Sequence, residues 1–175
     1  WNEVNAQNDG FIKRETHFPV KPKQWVLSGP HFFVGNPFFQ TPKFISETHK
    51  AYDNIDLVEL PENYFPRTNY TPACSDAEYL KRTPLVPWKE KNEVGEERQK
   101  PVTDYYRHVN REMIGSSSER TLTSHIMAKG IASINSCLST AFKSTQDLLD
   151  YHSFCLSVPL DYRVKSTGMG HANTS

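Results

Sequence analysis

Asn36-Pro37-Phe38-Phe39 is the stretch whose residue types come nearest to a known chemistry. Enzymes that methylate the exocyclic amino group of adenine or cytosine use Asn, Asp or Ser, then Pro-Pro, then an aromatic. The polar side chain and a backbone carbonyl hold the amino group, and the aromatic stacks on the extruded base. Here Phe38 stands where the second proline belongs. A Gly-rich loop after an early strand, needed to cradle S-adenosylmethionine, is absent, and Gly168-x-Gly170 is two glycines in a loop. Gly35-Asn36-Pro37 therefore reads better as a turn after a strand. Ser28-Gly29-Pro30-His31 sets a serine near a histidine without a third group, and no GxSxG occurs. The seven histidines are scattered, and the acids form no cluster suited to a metal. The expectation is no catalytic residue, no metal and no cofactor within this chain.

Basic residues interleaved with aromatic and polar ones suggest a different chemistry. Arg67 and Asn69 precede Tyr70 in a Pro-rich segment, and Arg107 and Arg111 follow Tyr105-Tyr106. In a helix, Arg107 and Arg111 would share one face. Arg163 and Lys165 alternate with polar and apolar residues near the end of the chain. Arginine and lysine bind phosphates, while arginine and asparagine read base edges. These six form the expected DNA-contacting set. The contrasting reading is ordinary surface charge paired with acids such as Asp104. The chain carries 20 basic and 20 acidic residues, for zero formal net charge, which argues against a gross electrostatic grip on a polyanion.

These residues need elements to position them. Trp25–Val34 reads as a strand kinked at Gly29-Pro30, and Tyr52–Leu60 as a short strand. Ser75 can cap a short helix over 76–82. Thr103 can cap a helix over 104–114 that stops at Gly115, with Tyr105, Tyr106, Val109 and Met113 at helical spacing. Arg120–Met127 alternates as a strand, Lys129-Gly130 turns, and Ile131–Phe142 is a second strand pair or a strand extension. An amphipathic helix over 145–156 has Leu148, Leu149, His152 and Leu156 on one face, Thr145 as its cap and Pro159 as its end. Tyr162–Lys165 begins a final strand. The fold class expected is α+β, a mixed or antiparallel sheet with two well-marked helices. Residues 61–101 hold six of the twelve prolines and the charged run 89–100, and read as a long, mostly irregular surface arm. Its 84–100 portion reads as a mobile loop, the charged run itself as solvated loop or exposed helix.

A length of 175 residues suits one domain. Cys74, Cys137 and Cys155 are odd in number and lack metal spacing, as expected of reduced thiols in a cytoplasmic protein. No apolar run approaches the length of a membrane span. Trp1 at the start and the loop-like residues 166–175 at the end suggest a domain excised from a longer chain.

Several segments together resemble one family. They are Trp25–Lys43, Leu60–Ala73, Glu78-Tyr79, Arg82–Pro84, Tyr105–Arg107, Glu119–Leu122 and Ser157–Gly170. They are similar to the region downstream of the catalytic domain in large bacterial fused restriction–modification methylases, type IIG-like N6-adenine DNA methyltransferases of the Eco type. The resemblance covers most of 25–170, least in 89–100. It implies a target-recognition region that binds double-stranded DNA and packs on the methylase domain of the same parent. S-adenosylmethionine and the methyl transfer would belong to that parent domain. The alternative is an interaction module bracing the methylase and nuclease domains without base contacts. An independent small-molecule enzyme is a third, weaker reading.

Overall fold

The computed structural model describes residues 1–45, 48, 51–115 and 117–172. The chain is α+β, and its described residues form short strands and four α-helices. The amino-terminal part runs α1 (Glu3–Asn8), β1 (Ile12–His17), β2 (Val26–Leu27), β3 (Gln40–Pro42), β4 (Tyr52–Asn54) and β5 (Thr68–Pro72). Then follow α2 (Asp76–Arg82), β6 (Glu90–Lys91) and β7 (Glu97–Arg98). The remainder is β8 (Arg107–Arg111), β9 (Ser124–Met127), β10 (Ala132–Ser133), β11 (Cys137–Ala141), α3 (Thr145–Leu156) and α4 (Val158–Ser166).

The largest sheet is antiparallel, in the order β11-β8-β9. Its central strand alternates: Arg107, Val109 and Arg111 face one way, His108 and Asn110 the other. The first face packs on the segment around β2, where Val109 joins Trp25, Leu27, Phe32, Met127, Ile131 and Cys137 in one core. The second face is covered by α3, with His108 Nδ1 3.0 Å from His152 Nδ1. A parallel pair, β2 with β10, separates this core from a second one. Val26 and Ala132 enter the second core with Phe11, Ile12, Tyr70, Tyr79 and Ile134, while neighbouring Leu27 and Ile131 enter the first. Successive side chains of a strand point to opposite faces, so this two-residue pairing closes both cores.

Several expected elements differ. Residues 104–114 are not a helix: a 3₁₀ turn at Val102–Asp104 leads into β8. The inward residues of β8 include two arginines, so its two-residue period is hidden in the hydropathy pattern, and the flanking tyrosines supply a false helical period. Tyr162–Lys165 is not a strand but the middle of α4. Pro159 lies in the first turn of that helix, where its missing N–H costs nothing. The strand at 25–34 shrinks to Val26–Leu27, followed by a 3₁₀ turn at Gly29–His31, and the one at 52–60 to Tyr52–Asn54. Within 61–101 lie β5, α2 and the β6–β7 hairpin, so that arm is more regular than expected. The helix at 145–156 stands as expected, but Ser144 caps it, not Thr145.

Candidate nucleic-acid interface

Asn69 is buried inside a hydrogen-bond chain. Thr16 donates to Asn69 Oδ1 at 3.0 Å, and Asn69 Nδ2 donates to the Tyr52 hydroxyl at 3.1 Å. Tyr52 and Ser28 Oγ lie 3.0 Å apart, and Ser28 Oγ is 2.9 Å from His31 Nδ1. His31 Nε2 donates to the Arg67 carbonyl at 3.0 Å, which leaves Nδ1 as the acceptor. Burial pulls the fully enclosed His31 down to about 4, so the imidazole is neutral at ordinary pH. Ser28 and His31 thus serve as a cap on the 3₁₀ turn and as links in this chain.

Arg67 sends Nε–H to the Pro42 carbonyl at 2.6 Å, reaches Asp53 at 3.4 Å, and stacks on Phe18. Arg111 donates Nε–H to the Gly29 carbonyl at 2.8 Å and Nη2–H to the Phe32 carbonyl, with its guanidinium over the Phe32 ring. Arg107 is 3% exposed and donates to the Ile131 carbonyl and, at 3.3 Å, to Ser139 Oγ. Four of the six expected contact residues are therefore buried or engaged with backbone and neighbouring side chains. Arg107 and Arg111 do share a face, as residues of a strand and towards the interior.

Arg163 and Lys165 stand apart from these four. Both are exposed on α4, and Arg163 has no side-chain partner among the described residues. Lys165 reaches the Ser118 carbonyl at 3.4 Å. Tyr162 beside them is 73% exposed. The helix is held by Asp161, which is buried and accepts from the backbone N–H of Thr121 at 2.9 Å and of Leu122 at 2.7 Å. Arg120 approaches the same carboxylate at 3.5 Å. Anchored on one side, α4 holds Tyr162, Arg163 and Lys165 outward.

A basic groove went unnoticed in the sequence. Lys21, Lys23 and Lys129 line an open depression of about 560 Å³ with Thr103 and Asp104. Lys129 lies 5.4 Å from the centroid of the exposed Tyr106 ring. Lys23 is paired with Asp76. Lys21-Pro22-Lys23 was legible as a local signal, but its meeting with Lys129 depends on the tertiary fold.

Asn36 behaves as a turn residue. Its Oδ1 accepts from Phe38 N at 2.9 Å, and Phe33 and Asn36 form a bridge. Phe38 stacks against Trp25. Among the described residues no helix is long and apolar enough to cross a membrane, and no group of three His, Cys, Asp or Glu could hold a metal ion. No protein-family model, curated protein or solved structure matches this chain.

Proposed function

We propose that this chain is a DNA-recognition module of a site-specific N6-adenine DNA methyltransferase, non-catalytic by itself, working beside the methylase domain of a longer parent that holds S-adenosylmethionine. The observation that carries the reading is Arg163 on α4, without a side-chain partner among the described residues and flanked by exposed Tyr162 and Lys165. A fixed helix offering a free guanidinium, an ammonium and an aromatic face is suited to a phosphate backbone. The segment Ser157–Gly170 that contains it also belongs to the family resemblance. Zero net charge fits a module that supplies one wall of a DNA cleft. Arg163 and Lys165 are the contact residues of this reading. Arg67, Asn69 and Arg111 act by holding the scaffold.

The test is fluorescence anisotropy with duplex DNA of several sequences. Arg163→Ala and Lys165→Ala should weaken binding evenly across sequences and reduce the salt slope by about one for each phosphate no longer neutralised. Unchanged affinity and slope in both variants would refute the interface.

A second reading has an observation of its own. Phe154, Val158 and Tyr162 are 59%, 69% and 73% exposed along α3 and α4. Exposed apolar groups of this size suit a protein partner. A bracing module predicts that Val158→Glu weakens association with a methylase domain while any DNA affinity stays as it was.

A further inference from the structure

A cavity of about 270 Å³ is lined by Trp1, Thr83, Thr103, Arg107, Ser133 and Ser139, among others. Arg107 is the unusual member. A guanidinium taken out of water is ordinarily matched by a carboxylate, because an uncompensated buried charge is costly. Arg107 is 3% exposed, and among the described residues it has no acidic partner. Its two terminal nitrogens hold Ser139 Oγ and the Ile131 carbonyl, both neutral. Its Nε–H is buried without any acceptor among the described residues. The hydroxyl of Tyr79, itself 3% exposed, is likewise buried without a partner, and it lies close enough for each group to influence the ionisation of the other. Tyr79 packs edge-on against Trp1, another wall of the cavity. Burial without a counter-charge brings the Arg107 guanidinium down to about 10, so it remains a cation at neutral pH. Ser139 Oγ accepts from Arg107 and so keeps its own hydrogen to donate.

The cavity thus has an unneutralised cation in its wall and serine hydroxyls beside it, with no competing carboxylate among its lining residues. We propose that this cavity binds a phosphate-class oxyanion, with Arg107 as its counter-charge and Ser139 as a supporting donor. Guanidinium groups favour such anions because their planar array of donors matches two oxygens at once. The inference stands apart from the α4 interface and does not need it. The oxyanion has two possible sources, free phosphate or a phosphate of DNA.

The experiment uses the full 175-residue chain. Inorganic phosphate is titrated at constant ionic strength against chloride, read by calorimetry and by thermal unfolding. Phosphate should bind and raise the unfolding temperature, and Arg107→Met should weaken binding by about tenfold or more. A duplex is then added: displacement of phosphate assigns the site to a DNA phosphate, and simultaneous binding assigns it to a free anion. The proposal fails if phosphate does no more than chloride, or if folded Arg107→Met titrates like the parent. Should Arg107→Met not fold, Ser139→Ala decides: it should weaken phosphate by about three- to tenfold, and an unchanged affinity sinks the site. Arg163→Ala should leave phosphate binding unaltered, so failure of the α4 interface and failure of this cavity are told apart.

Discussion

Buried His31, His108 and His125, with the inward-facing Arg107 and Arg111, work as interior polar links. Burial pulls His31 and His108 to about 4 and His125 to about 3, against an ordinary value near 6.5. As pH falls below about 6.5, the unfolded chain takes up protons that the folded chain refuses. Stability from these groups is therefore complete above that pH and is lost on acidification towards 4. The slope is up to about 1.4 kcal/mol per pH unit for each histidine. Urea midpoints should drop steeply across that window, and a flat profile would show that the rings are not held neutral. Arg111 offers a second test. Arg111→Ala strands the Gly29 and Phe32 carbonyls and removes a stem from the Phe32 ring. Unfolding in denaturant should register a loss of about 2 kcal/mol. Neither role was readable from residue type: Arg107 and Arg111 look like surface charge until β8 turns them inward.

Among the elements, α4 depends on one carboxylate. Asp161→Ala leaves the N–H groups of Thr121 and Leu122 without acceptors. Its cost should be about 1–3 kcal/mol, with faster amide exchange across 158–166 than across 145–156. Ser144→Ala should cost about 1 kcal/mol by removing the cap of α3, since Ser144 Oγ accepts from Gln146 N at 3.1 Å. If Thr145→Ala proved the more damaging of the two, the cap would be misassigned. The helix α2 was legible from its Ser75 cap, and α3 from its apolar period and the proline beyond it, although its cap lies one residue before the expected one. The strand β8 was not, because the interior it faces is partly polar and only the neighbouring segments make it so. The helix α4 was mistaken because Pro159 reads equally well as a stop and as a first-turn residue. Of the candidate site, the exposed pair Arg163 and Lys165 was visible in the sequence. The burial of Asn69 and Arg107 was not, since it comes from pairing with residues far along the chain.

On the scale of the whole molecule, neutrality limits what binding can look like. With Arg163 and Lys165 as the α4 cations, DNA affinity should fall with salt at a log–log slope of about −2 for two neutralised phosphates. A much steeper slope would require basic groups beyond that helix, with Lys21 and Lys129 the first to test.

The pairing of β2 with β10 carries a further consequence, for synthesis. Trp25, Val26, Leu27 and Phe32 are made well before Ile131, Ala132 and Ile134, which close the cores around them. While the chain leaves the ribosome, those early apolar residues stay uncovered until the late segment emerges. Folding of this kind is slow, because closure of a long loop must precede the contacts that reward it. Nascent chains halted before residue 131 should therefore be avid chaperone clients, and emergence of the β10 segment should end that dependence.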